Sequence, residues 1–378
     1  MMLAFNPVLH GLRGIAACAV LLFHWILLFP SLPNALDDVE FLGTSWNLTF
    51  QFGFGWLGVP LFFVLSGYLL GSQLADRDIS AMVIAKFWKR RFFRIYPAVW
   101  AQTIFLLFVA FGYFPALTFP DYFSALTLSD IIRNLFLWIN LPPWMTRPAI
   151  STWWTLPVEL AFYLLLPFII LLVRKFGLTT IIIVSFVTTI AWRFGFMMLY
   201  KGENYSDHLY ILDSIPGVLS TFVAGVSLAY LHVKFSMARR RLILLMLAAA
   251  FLAMQYWLVA NIGSYWSGHW MLAIWNPLMA IIIALGVYCF LLPTGKSSIL
   301  GNKYLVFFGE ISFGLYLWHL PVQGWISSFL PGNWSPLLNS GLALALTFAL
   351  TIPIASLSYY FIERPIMGWG KSGPATHS

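Results

Sequence analysis

Charge and cysteine are scarce in this chain. Only 9% of its 378 residues are charged, against 61% hydrophobic. A soluble domain carries about 25% charged residues, so no soluble domain of this length has such a surface. Cysteine is limited to Cys18 and Cys289, both inside apolar runs, which argues against a disulfide framework and offers no thiolate metal site. No repeat of 20–50 residues is present, and no small-residue cleavage site follows the first apolar segment before Phe29-Pro30. Acidic residues number only 13 against 21 Lys and Arg, giving a net charge of +8. Their distribution fits membrane topology better than a nucleic-acid surface.

What the chain has in abundance is long apolar runs, with a mean hydropathy of +0.84. Run lengths near 20 predict spanning helices rather than strands, so the expected fold is an all-α polytopic membrane bundle of about ten helices. They are read at 8–29, 54–73, 95–114, 153–173, 178–199, 210–232, 241–261, 270–292, 307–329 and 337–361. Residues 1–369 form a single transmembrane domain on this reading, and 370–378 a tail with no soluble domain at either end. Alternate loops hold sixteen of the 21 Lys and Arg: Arg77, Lys86, Lys89, Arg90, Arg91 and Arg94; Arg174 and Lys175; Lys234 and Arg239–Arg241; Lys296 and Lys303; Arg364 and Lys371. The other loops hold Asp37, Asp38, Glu40, Asp121, Asp130, Glu203 and Asp207 with only Arg133, Arg147 and Lys201. The positive-inside rule then places both termini in the cytoplasm.

Ionisable groups inside the spans mark candidate chemistry. Arg13 and His24 are separated by eleven residues, so they share a helical face and lie roughly 16 Å apart along the axis. With straight helices, two layers are expected. Arg13 and Glu310 form the cytoplasmic one; His24, Glu159, Arg193 and His319 form the outer one. His24 has the chemistry of a general base, with Glu159 to orient it. The blander alternatives are an interfacial histidine, an arginine that snorkels to headgroups, and a structural Glu159–Arg193 ion pair.

Lys86-Phe-Trp-Lys89-Arg90-Arg91-Phe-Phe-Arg94-Ile-Tyr-Pro97 interleaves basic and aromatic residues. It fits an amphipathic segment at the inner surface that sets topology by binding anionic headgroups, or a clamp whose arginine forks hold a polyphosphate. Ser312, Tyr316 and His319 make a polar stripe, which serves a site or bonds helices together. Glu363-Arg364-Pro is read as a structural cap or interfacial anchor.

Taken together, these residues resemble the membrane acyltransferase-3 family over nearly the whole chain. The motifs are Leu9-His-Gly-Leu-Arg13-Gly with His24 downstream, Phe62-Phe-Val-Leu-Ser66-Gly67-Tyr, Arg91-Phe-Phe-Arg94-Ile-Tyr-Pro97, Trp153-Trp154-Thr-Leu-Pro-Val-Glu159, and Ser312-Phe-Gly-Leu-Tyr316-Leu-Trp-His319-Leu-Pro321. Any one is weak; five in order on ten helices are specific. The resemblance implies O-acyl transfer in a bacterial inner (cytoplasmic) membrane, from acetyl-CoA to hydroxyls of polysaccharides, lipopolysaccharide or peptidoglycan, with macrolides as further acceptors.

It further implies that Arg13 and His24 are essential. The acetyl-CoA site would lie at Arg91 and Arg94, with Lys89, Arg90, Arg13 and Ser66 beside it. Tyr316, His319, Glu310, Trp153 and Arg193 complete the candidate set. Leu160 departs from relatives that carry a second acid after the motif glutamate. With no hydrolase-like domain after the tenth helix, transfer to the acceptor is expected in the membrane domain or with a separate partner, such as polysaccharide-export machinery.

Trp46, Trp56, Trp138, Trp144, Trp153 and Trp154 offer sugar-stacking faces. They favour an exopolysaccharide or lipopolysaccharide repeat unit over a macrolide, although aromatics also anchor at interfaces. A transporter of a small anion or lipid-linked sugar would use the same intramembrane charges, but the paired halves common in transporters are not evident. A non-catalytic scaffold is the other alternative. Acceptor-dependent loss of the acetyl-CoA thioester separates an enzyme from both.

Overall fold

The computed structural model of the chain describes residues 5–37, 39–41, 44–110, 112, 126–141, 144–145, 148–231, 233, 235–292 and 299–370. Asp38, Asp121, Arg147, Lys234, Lys296 and Lys371, and the tail from 371, lie outside them, as do the side chains of Glu40, Trp46 and Trp144.

The molecule is a polytopic bundle of apolar helices. Among the described residues, eight are long and apolar enough to cross a membrane, and ten if two bent pairs each count as one span. In hydrocarbon every backbone polar group must be satisfied within the segment, which is why runs of this composition become helices. We name them α1 (Pro7–Leu28), α2 (Gly58–Leu74), α3 (Ala81–Ala110), α4 (Leu128–Leu135, short and not a span), α5 (Thr155–Phe176), α6 (Leu178–Leu199), α7 (Ile215–Leu228), α8 (Met237–Ala260), α9 (Met271–Leu291), α10 (Lys303–Glu310), α11 (Ser312–Phe329) and α12 (Pro336–Leu357). Two small antiparallel hairpins, Val39–Phe41 with Thr44–Trp46 and Asn140–Leu141 with Trp144–Met145, sit in the connections.

Helix ends follow local chemistry. The Asn6 side chain accepts from the Val8 amide at 3.0 Å and Pro7 opens α1, an N-terminal cap with a preset φ. Gly177, at φ +85°, turns the chain between α5 and α6, a conformation that favours glycine.

Four departures from straight, independent spans matter for function. The basic-aromatic stretch is not a separate surface segment: it is the first half of α3, one helix of 30 residues. At 1.5 Å per residue that is about 45 Å against a hydrocarbon core of about 30 Å, so its basic end extends past the apolar layer. The expected span 307–329 is broken, with α10 and α11 meeting at 71° around Ile311. The expected span 210–232 is also broken, by 59° between Leu212 and Ile215. The last span runs on through a wide π-type turn at Ser358–Glu363 to Trp369.

The centre is packed through small residues, as membrane helix pairs require. A Cβ on Gly67 would come within 2.2 Å of the Phe222 carbonyl, and one on Gly225 within 2.1 Å of the Val64 carbonyl, so α2 and α7 touch backbone to backbone. Beside this contact Phe63, Phe222 and Phe162 stack at 4.4 and 4.1 Å between centroids. At the break, Gly309 lies against the His10 carbonyl, seating α10 on α1 and presenting Ser312 to Arg13.

Candidate functional site

Between α1, α2, α3, α5 and α11 lies a cavity of about 140 Å³ whose polar lining comes from Arg13, Ser66, Gln73, Arg91, Arg94, Thr155, Glu159, Tyr163, Ser312 and Tyr316. The family-like segments, read separately along the chain, thus converge on one space.

Arg13 donates from Nη2 to Ser312 Oγ at 3.2 Å, and its guanidinium lies 5.8 Å from the Phe62 ring centre. Glu310 is not its partner: no ion pair joins them among the described residues. The helix break explains this, because it ends α10 at Glu310 and turns Ser312 towards Arg13 instead.

Glu159 also sits elsewhere than expected. Its Oε1 accepts from Ser66 Oγ at 3.1 Å and Tyr163 Oη at 2.5 Å, and it lines the cavity with Arg13. It neither orients His24 nor pairs with Arg193. Depth alone does not choose its partner: counted from Ser151, Glu159 is about 12 Å into a 26-residue rod of about 39 Å, still the outer third, but its face of α5 turns to the cavity it shares with Arg13. Arg193 pairs instead with Asp213 and donates to the carbonyls of Gly217 at 2.9 Å and Leu272 at 3.3 Å. It pins the break before α7.

The four basic candidates on α3 divide by helical face. Arg91 and Arg94 line the cavity; Lys89 and Arg90 are exposed and do not, because in a 3.6-residue turn they project from other faces. Arg91 lies 5.8 Å from both the Phe87 and Tyr163 rings, and its buried Nε has no hydrogen-bond partner among the described residues. Arg94 is already engaged. It donates to Glu363 Oε2 at 3.1 Å and lies 5.3 Å from the Phe313 ring. Glu363, 1% exposed, also accepts from Ser358 Oγ at 3.2 Å. The motif read as a terminal cap therefore reaches the site. Counting Glu363 with the lining, three guanidiniums face two carboxylates, which leaves the region suited to an anion.

Tyr316 closes one end of the cavity. Its hydroxyl donates to the Thr152 carbonyl at 2.7 Å and pairs with Thr155 Oγ1 at 2.8 Å. Its ring centre is 5.9 Å from that of His319, whose ring is 5.0 Å from that of His24. His24 does not line the cavity; the His319 ring stands between it and the Tyr316 ring of the lining. His24 Nδ1 lies 2.9 Å from the Val20 carbonyl and 3.2 Å from His319 Nε2, and His319 Nδ1 lies 3.0 Å from the Leu315 carbonyl. His319 is 1% exposed and His24 is partly exposed.

Trp153 cannot stack on a sugar. It is wholly buried, donating from its indole to Gln102 Oε1 at 3.0 Å, while Gln102 holds the Leu317 carbonyl. Trp138 is exposed, and Trp56 and Trp154 are partly so. The sequence reading gave no site role to Tyr163, Gln102 or Phe62. Tyr163 carried a signal, one turn after Glu159 on the same face, and Phe62 opens a family-like motif; Gln102 carried none.

A family model described as an acyltransferase domain matches residues 6–359. A candidate O-acetyltransferase of Staphylococcus aureus (strain MSSA476) is 28% identical over 396 aligned positions, covering 96% of this chain and 57% of that protein. The O-acetyltransferase OatA of Staphylococcus aureus (strain NCTC 8325 / PS 47) is 25% identical over 376 positions with the same coverage. The chain thus spans 57% of the length of these curated relatives. No solved structure matches it.

Proposed function

The chain belongs to the acyltransferase-domain family, and we propose that it is a multi-pass membrane O-acetyltransferase taking acetyl groups from acetyl-CoA. The observation that carries this reading is the cavity joining Arg91, Arg94 and Arg13 to Tyr316, with the His24–His319 pair just past that ring. Residues 1–369 act as one unit, in a bacterial cytoplasmic membrane with both termini inside. The donor then enters at the basic end of α3.

Arg91 is the first candidate for its phosphates, since a buried guanidinium nitrogen without a partner favours an anionic ligand. The acyl end reaches past Glu159 and Arg13 towards Tyr316. Arg13 supplies positive charge along the donor's path, beside Glu159 in the same cavity. His24 takes the proton of the acceptor hydroxyl as its oxygen bonds to the acetyl carbon. The carbon–sulfur bond breaks, and the departing thiolate receives a proton. A relay through an acetyl-imidazole differs in one observable: CoA is released without acceptor.

For the acceptor we favour a sugar hydroxyl of an exopolysaccharide or lipopolysaccharide repeat unit, with Trp138, Trp56 and Trp154 as its aromatic surface. Export machinery is the corresponding partner.

The test uses membrane vesicles containing the full chain and their own glycans, fed radiolabelled acetyl-CoA. His24→Ala should lower kcat on the order of 10²–10⁴-fold. Arg91→Ala should mainly raise KM for acetyl-CoA. Full transfer by His24→Ala alongside loss in Arg91→Ala would refute the catalytic assignment.

A further inference from the structure

His24 carries two nitrogens, and only one can serve as base or nucleophile at a time. The hydrogen bonds around it decide which. A carbonyl oxygen only accepts, so His319 Nδ1, 3.0 Å from the Leu315 carbonyl, carries a hydrogen. The same logic puts a hydrogen on His24 Nδ1, 2.9 Å from the Val20 carbonyl. In a neutral His319 that leaves Nε2 with its lone pair, and this nitrogen lies 3.2 Å from His24 Nδ1. The opposite arrangement, with His319 Nε2–H donating to His24 Nδ1, sets a lone pair against the Val20 carbonyl. It also demands a doubly protonated, buried His319 with no carboxylate among its described hydrogen-bond partners.

We propose that His319 is a positioning residue whose Nε2 shares His24 Nδ1–H with the Val20 carbonyl in a three-centre bond, fixing the ring angle that presents the unprotonated His24 Nε2 to the reaction. The Val20 carbonyl sets the tautomer, but it comes from the preceding turn of the same helix and leaves the ring one tether. The second tether, from α11, crosses 295 residues of sequence and ties the ring's orientation to the bend that also brings Ser312 to Arg13. His319 touches neither donor nor acceptor in this role; it acts through His24. The inference rests on the reading of His24 as the reactive group.

Two variants of like polarity separate positioning from packing. His319→Gln keeps an acceptor where Nε2 stood. His319→Asn keeps only the shorter reach, to the Leu315 carbonyl. Both are assayed in the same glycan-bearing vesicles with radiolabelled acetyl-CoA, with His24→Ala alongside.

His319→Asn should lose on the order of 10²-fold in kcat, the scale of a misplaced catalytic group, with KM for acetyl-CoA unchanged. His319→Gln should recover most of that loss. Equal activity of Asn and Gln variants, whether both near wild type or both dead, overturns the positioning role, as does a change confined to KM. An active His24→Ala overturns the reading of His24 instead, and is told apart because it does not involve His319.

Discussion

Arg94 and Arg91 stand one helical turn apart, yet they should fail in different ways. Arg94 is held by a carboxylate that is 1% exposed, while its own side chain is 19% exposed. Removing one member of a buried pair leaves the other uncompensated, which costs about 3–5 kcal/mol. The partial exposure of Arg94 argues for the lower end, and its contact with Phe313 adds about 0.5–1 kcal/mol. Arg94→Met should therefore destabilise the protein by about 3–4 kcal/mol. Removing both charges in Arg94→Met/Glu363→Gln should return it to within about 1 kcal/mol of wild type, since the orphaned carboxylate is gone. The assay is unfolding of the detergent-solubilised protein in graded SDS, for wild type, both singles and the double. In vesicles the double variant should raise KM for acetyl-CoA less than Arg91→Met does, because among the described residues no carboxylate is bonded to Arg91. Additivity of the two single effects would refute the pairing argument, and so would a larger KM change in the double variant.

Two further outcomes follow from packing. Gly67→Ala drives a Cβ into the Phe222 backbone, whereas Gly286→Ala meets nothing within 4 Å. The first should cost about 1–3 kcal/mol and lower acetyl transfer by shifting Ser66 from Glu159. The second should be neutral or slightly stabilising, both read from the same SDS titration. Arg193→Lys should behave almost like Arg193→Ala, destabilising by about 3 kcal/mol or more. One ammonium cannot reproduce the guanidinium's simultaneous bonds to Asp213, Gly217 and Leu272; a wild-type melt for the lysine variant would contradict this.

The spans were legible because hydropathy and turn chemistry coincide in them. The helix expected at 178–199 is α6 to the residue, since Gly177 ends one apolar run where the next begins. Hydropathy missed what it does not encode. The first half of α3 is as helical as the second, but its arginines and lysines depress the apolar average. The breaks fall at short polar stretches, Asp213-Ser214-Ile-Pro216 and Gly309-Glu310-Ile-Ser312, which an apolar average over some twenty residues absorbs. Those breaks carried the consequences. A straight helix puts Glu310 on Arg13's level, and the bend substitutes Ser312. His24 and His319 lie side by side, whereas Glu159, at its expected depth in the outer third, faces the cavity of Arg13 rather than His24. The residues of the site were thus readable as a set, but their partners were not, because partners depend on helix axes that side-chain chemistry does not fix.

The corrected placement of Glu159 sharpens the order of events expected along the path. A carboxylate beside the entry of an anionic donor would repel its phosphates, and this one accepts hydrogen bonds from Ser66 and Tyr163 while facing Arg13 and Arg91 across the same cavity. Phosphates are therefore favoured at the Arg91 end and disfavoured higher up, while a neutral arm bearing amide donors is favoured beside Glu159. Charge alone threads such a molecule acyl end first. Beyond it, Tyr316 is held by Thr152 and Thr155, so it is a wall before it is a passage. Acetyl transfer to or past His24 requires that the carbonyl be presented at this ring, or that the ring give way. Tyr316→Phe separates these cases, because it frees the ring from both partners without changing its bulk. If the wall limits turnover, the variant should raise kcat in the vesicle assay. If the hydrogen-bonded ring is the platform against which the thioester is aligned, kcat should fall with KM unchanged. Indifference of both parameters would remove Tyr316 from the path.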